Sequence, residues 1–234
     1  MDYFLGGYYL TRLKPLTFGS NLNSVVYTAS GCINDNLVDG WSYPSDKPFD
    51  RSASLAKRKF GLDDGEIEKI RNWVGLQSVE GDVGWPGVFS NGAAALEYRE
   101  KFFPRVKSIE VLALYFKERE ASELVEEFTP QSPTEGTAGI CQNLLKRVSE
   151  SVIQNEEFVG YDLLGFEHGT DFHSFHCHDI GEELSERFDL RLNNFGLFEP
   201  HDDWKPVLDF LNDEDNGCEP VPWFVAKVKR LRIE

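Results

Sequence analysis

The sequence predicts an α+β fold: a mixed or antiparallel sheet with flanking helices, arranged either as two lobes or as one continuous domain. Three observations predict it. Stretches with strand periodicity and stretches with helix periodicity are interleaved without a regular strand–helix–strand rhythm. No block recurs at the spacing of solenoid or propeller repeats. The chain is 234 residues long, 41% hydrophobic and 13% aromatic, enough for a substantial core.

The elements follow in order. "YFLGGYYLTRL" alternates aromatic, small and polar residues and predicts a first strand; "NSVVYTASGCI" is β-branched and predicts a second. Residues 34–51 are rich in turn formers. A helix then starts at Asp63, with Glu66 completing a capping box and Ile67, Ile70, Trp73 and Val74 on one face. "AAALEYREKFF" predicts a helix that stops before Pro104. "SIEVLALYF" is the most apolar strand and belongs centrally in the sheet. "KEREASELVEEF" predicts an exposed, charge-laced helix. "TPQSPTEGTAG" (129–139) is the natural linker, dividing a half at 1–128 from one at 140–234. "ICQNLLKRVSESVI" predicts a helix. "FVGYDLLGFEH" and "TDFHSFHCH" predict a hairpin around Gly169. Asp179 is placed to cap a helix that carries Ile180, Leu184 and Phe188 on one face. "LNNFGLF" predicts a turn, "DDWKPVLDFLN" a short helix with Pro206 in its first turn, and "VPWFVAKVKRLRI" a last strand.

The net charge of −16 is lopsided. Residues 1–108 hold 13 basic and 13 acidic residues, whereas 109–234 hold 11 basic and 27 acidic. Such a field attracts basic partners and repels nucleic acid. The longest basic cluster, "KVKRLR" (227–232), lies in the acidic half, so no nucleic-acid partner is expected. No apolar run approaches a membrane span. Asp2 stands where an export signal carries basic residues, and the four cysteines are widely spaced without a CxxC, so a cytoplasmic protein with free thiols is expected.

Two segments carry candidate chemistry. In "HGTDFHSFHCHD" (168–179), a strand over 170–178 would put Phe172, Ser174, His176 and His178 on one face. Two imidazoles at i and i+2 can chelate zinc, with a third ligand from His168, His201 or a carboxylate. That pattern supports a metal-dependent hydrolase, with Asp171 or Glu167 assisting. The competing account is a half-buried strand with hydrogen-bonded imidazoles. Cys177 is a poor nucleophile there, because its neighbours His176 and His178 would face the other side. No GxSxG, P-loop or HExxH motif occurs, and "NDEDNG" lacks the bidentate Glu of a calcium loop.

The second segment, 199–219, "EPHDDWKPVLDFLNDEDNGCE", holds eight acids and one lysine. Trp204, Leu208 and Leu211 form an apolar stripe, with Asp202, Asp203, Asp209, Asp213, Glu214 and Asp215 around it. Acids beside an aromatic suit docking onto a basic protein. The pattern "GYDLLGFEHGTDFHSFHCHDI…LRLNNFGLF…PVPWFVAKVK" resembles a group of small bacterial proteins with a G-Y-D strand, an F-H-S-F-type strand, an L-N-x-x-G-L turn and a P-x-P-W strand. In general character the chain looks like the immunity proteins of bacterial toxin systems. The resemblance spans roughly residues 158–230 and brings no catalytic residue with it. It implies a cytosolic protein that binds and blocks a basic toxin domain without chemistry and without a cofactor.

Overall fold

The computed structural model describes residues 2–16, 25–44, 51–84, 87–129, 139–150, 155–167, 172–213 and 216–232. The fold is α+β, as expected, and its sheet is antiparallel and curled into a half-barrel. Its strands are β1 (Tyr3–Arg12), β2 (Asp35–Asn36), β3 (Val83–Gly84), β4 (Val88–Phe89), β5 (Ile109–Lys117), β6 (Glu156–Gly165), β7 (His173–Ser174) and β8 (Trp223–Leu231). They run in the order β3-β4-β1-β5-β8-β6-β7, with β2 also on β1. The apolar strand β5 is central, as its composition predicts. One sheet crosses both halves of the chain, and the expected linker, at 130–138, lies outside the described residues.

The helices are α1 (Arg51–Phe60), α2 (Asp64–Glu80), α3 (Gly92–Phe102), α4 (Glu118–Phe128), α5 (Ile140–Leu145), α6 (Gly181–Phe188) and α7 (Lys205–Leu211). Residues paired across an antiparallel ladder share a face. On one face α1–α3 cover Leu5, Leu10, Val111 and Ala113, and α6 and α7 cover Leu163, Trp223 and Val225. On the other face α4 and α5 cover Leu112, Leu114, Phe116, Phe224 and Val228. The α2 start is the predicted capping box: Glu66 N–H donates to Asp63 Oδ1 and Asp63 N–H to Glu66 Oε2, both at 2.8 Å.

The two halves of the sheet match residue for residue. β1 pairs with β5 from Tyr3↔Lys117 to Arg12↔Ile109, with a bulge between Leu5 and Gly7. β6 pairs with β8 from Glu156↔Leu231 to Gly165↔Trp223, with a bulge between Phe158 and Gly160. The flanking ladders repeat as well: Thr11↔Asn36 corresponds to Leu164↔Ser174, and Tyr8↔Phe89 to Tyr161↔Phe198. Leu114, the partner of Gly7, pairs with Val228, the partner of Gly160. A local two-fold axis therefore passes between them. Both bulges need glycine. Gly7 and Gly160 have φ of 156° and 144°, and an added Cβ would lie 2.1 Å from Val88 Cγ1 or 2.6 Å from Leu197 Cβ. Paired bulges bend both outer strands, which is how the sheet curls.

Several expectations are corrected. Residues 25–33 form no strand beyond a Pro15↔Val25 bridge, and β2 falls at Asp35–Asn36, within the expected loop. The Asn34 amide donates to the carbonyls of Val26 and Thr28 at 2.9 and 3.1 Å, doing for this segment what a neighbouring strand would. Helix α4 is not simply exposed: Glu120, Ala121, Leu124 and Phe128 are buried. Helix α5 stops at Leu145, ahead of Arg147 in the left-handed region at φ 51°. Asp179 is itself left-handed at φ 54° and caps nothing; Ile180 occupies the position before α6.

The hairpin of β6 and β7 forms, through Leu164↔Ser174 and Gly165↔His173. The expected strand over 170–178 does not continue. Phe175–Cys177 is a single 3-10 turn in which the Ser174 hydroxyl accepts from His176 N–H at 3.4 Å and the Ser174 N–H donates to Cys177 Sγ at 3.4 Å. A short local hydrogen-bond set outcompetes extension there. It places Phe172, Ser174 and Phe175 all in the interior, a pattern no two-residue alternation produces.

Candidate protein-binding site

The acidic segment folds around α7. Val207, Leu208 and Leu211 are buried, and Trp204 is only 5% exposed, its ring 5.7 Å from Tyr161 and 6.2 Å from Phe198. The apolar stripe is as predicted, and it consumes the tryptophan: Trp204 is part of the core, with an edge left at the surface. Asp202 and Asp203 are exposed immediately before it, and Asp203 Oδ1 accepts from Lys205 N–H at 3.1 Å. Asp209 projects from the outer side of α7 and is paired with Lys205 at 2.5 Å; Asp213 is exposed just past the helix. Glu214 and Asp215 lie outside the described residues.

Asp202, Asp203 and Trp204 form one wall of a groove of about 680 Å³, and α4 forms the other. That wall supplies Glu118, Glu120, Glu123 and Glu126, with Asp2 nearby and with Lys117, Arg119 and Lys205 as the cations of the lining. Helix α4 is amphipathic: Ala121, Leu124 and Phe128 anchor it to the sheet and leave Glu118, Glu123 and Glu126 exposed on its outer side. Glu118 and Glu120 fall in its first turn, where exposed N–H groups favour negative charge. Sequence reasoning missed these glutamates because the charged spacing of "EREASELVEE" read as a solvated face. The signal available was the 121–124–128 apolar spacing, which orients the acids but does not say what lies opposite.

Glu120 differs from its neighbours. Its side chain is 7% exposed, and Oε1 is 3.7 Å from the Arg119 guanidinium, which also lies 3.6 Å from Glu123. Its Oε2 is buried without a hydrogen-bond partner.

The histidines are distributed. The His176 ring is tilted against Phe175 with ring centroids 3.9 Å apart, and its Nε2–H donates to the Gly196 carbonyl at 2.7 Å. Burial pushes its pKa down to about 4, which keeps the ring neutral. His178 Nε2 is 2.9 Å from Glu219 Oε2, and His173 Nε2 is 3.6 Å from Glu167. His201 packs against Trp204. His176 and His178 therefore face separate partners; His168 and Asp171 lie outside the described residues. Among the described residues no group of three or more His, Cys, Asp and Glu is placed to hold a metal ion. The neighbouring Cys32 thiol, with burial, pushes the Cys177 thiol well above the usual range, so it is held protonated.

A second buried carboxyl lies near this stretch. Asp162 is fully enclosed and accepts from the Thr28 hydroxyl at 2.5 Å and the Ser174 hydroxyl at 3.1 Å. Burial pushes its pKa up to about 7. It staples the irregular 25–34 segment to β6 and β7. No described helix is long and apolar enough to cross a membrane. No family model, curated protein or solved structure matches this chain.

Proposed function

We propose that this chain is a non-enzymatic, immunity-type binding protein that neutralises a basic toxin domain in the cytoplasm by covering its working surface. The observation that carries this reading is the acidic groove between α4 and residues 202–204, in the half of the chain that holds the whole net charge. Complementary charge accelerates encounter and disfavours wrong partners, while the Trp204 edge and the aliphatic stems of the charged side chains supply area to bury. The residues nominated for contact are Asp202, Asp203, Asp209, Asp213, Glu214 and Asp215, with the edge of Trp204.

The test is co-expression with a panel of basic cytotoxic domains, nucleases among them. The parent restores growth against at least one. The double variant Asp202→Lys/Asp203→Lys loses that protection, and its association rate falls about ten-fold or more at low salt, with the difference shrinking as salt rises. Failure of the parent to protect against or bind any of them overturns the proposal.

The zinc-hydrolase alternative predicts near-stoichiometric metal, lost on replacing His176 and His178. Because those two rings face separate partners, elemental analysis of protein purified without a histidine tag is expected to give well under one equivalent of zinc, iron or manganese. A full equivalent, removed by His176→Ala/His178→Ala, would restore that alternative.

A further inference from the structure

We infer that the groove is an anchor site for one cationic side chain of a protein partner, seated on Glu120. The inference rests on the binding role proposed above and names the contact that specifies it. Exposed acids alone would make only a diffuse field. Glu120 is different, because more than nine-tenths of its side chain is enclosed and Oε2 has no partner. A buried carboxylate oxygen without a donor is costly, and a cation entering this groove would complete it; Asp35 Oδ1 and Glu156 Oε1 also lack a hydrogen bond, but both carboxylates lie away from the groove.

The surroundings say what completes it. The cation nearest Glu120 is Arg119, at 3.7 Å, beyond hydrogen-bond reach; its side chain is 56% exposed and shared with Glu123. Arg119 thus covers the carboxylate loosely and can swing aside. Lys205 is engaged by Asp209. Around the anchor stand Glu123, Glu126, Asp202 and Asp203, exposed and able to receive further basic residues of the same segment. A groove of about 680 Å³ exceeds the room one side chain needs, so the occupant is a short basic segment with one Arg or Lys inserted.

The experiment uses the full chain and fluorescein-labelled nonapeptides carrying arginine, lysine or, as control, citrulline at spaced positions. Fluorescence anisotropy reads affinity at several salt concentrations. The parent binds the arginine or lysine peptide and not the citrulline one. Glu120→Gln preserves shape, its unchanged circular dichroism shows that it folds, and it weakens binding about ten-fold or more. Arg119→Ala tightens binding by removing the competing cation, an effect a purely structural Glu120 would not produce. Neutralising Asp64 and Glu66, on α2, leaves affinity unchanged. No peptide binding by the parent, unchanged affinity in Glu120→Gln, or equal weakening by the α2 control overturns the inference. If Glu120→Gln still protects cells while Asp202→Lys/Asp203→Lys does not, the anchor is wrong and the binding role stands.

Discussion

Replacing Asp162 with asparagine is expected to give a protein whose stability, relative to the parent, climbs by roughly 4 kcal/mol as pH rises from about 4 to about 7. Asp162 is sealed in the core and its pKa is raised from 3.8 to about 7. The stability supplied by its protonated form is complete below the unfolded value and is lost as pH rises through the folded one. Asparagine keeps the shape, and does not ionise. His176 works in the opposite sense over nearly the same window. Its folded pKa is depressed from 6.5 to about 4, so its contribution is present above 6.5 and lost as pH falls toward 4. A His176→Gln variant keeps a donor for the Gly196 carbonyl. Relative to the parent it gains roughly 3 kcal/mol between pH 6.5 and 4. In the parent these two contributions run in opposite directions with pH and largely offset each other. Urea denaturation at closely spaced pH values tests this. An Asp162→Asn-minus-parent difference that does not move with pH would show that Asp162 titrates in the folded protein as it does in the unfolded chain.

Phe166→Ala is the second large effect, with an expected loss of about 3–5 kcal/mol. Phe166 is fully buried just past β6, and four other rings surround it: Phe172 at 4.7 Å, Phe224 at 5.2 Å, Phe128 at 5.8 Å and Phe116 at 6.0 Å. Those rings come from α4, β5, β8 and the segment before β7, so one deletion opens a cavity shared by four elements. Such rings are held by several backbones at once and cannot all close on the space. Leu76→Ala, 65% exposed on α2, is expected to stay within about 0.5 kcal/mol of the parent and serves as the control. A Phe166→Ala loss near 1 kcal/mol in chemical denaturation would mean that this core relaxes far more than close packing allows.

These two effects also show where sequence reading succeeds and stops. Periodicity identifies elements whose apolar positions face one layer: β5, β8, α2 and α7 all appear where the pattern puts them. Asp63 and Glu66 form the expected cap because a capping box is a purely local arrangement. Residues 25–33 and 170–178 mislead, since their strand-like composition is overruled by side-chain hydrogen bonds from Asn34 and Ser174. The site is half legible. Asp202 and Asp203 stand out as acids, but Trp204 looks available for a partner and is instead buried against Tyr161. Glu120 is invisible as a special residue, because its burial depends on how α4 docks on the sheet, an arrangement of segments far apart in the chain.

The matched halves of the sheet have a consequence for electrostatics. Two separate identical chains pairing about the axis between Leu114 and Val228 would repeat every surface charge on both sides. Such an assembly has no net dipole across its axis. In a single chain the two halves are free to diverge while their backbone registers stay matched. Between β1 and β6 only Gly7/Gly160, Tyr8/Tyr161 and Leu10/Leu163 keep the same residue at matched positions. Residues 1–108 sum to zero charge and 109–234 to −16, so the matched backbone registers carry unmatched charge. A molecule charged unevenly in this way turns in the field of a basic surface before contact, although its backbone registers are matched.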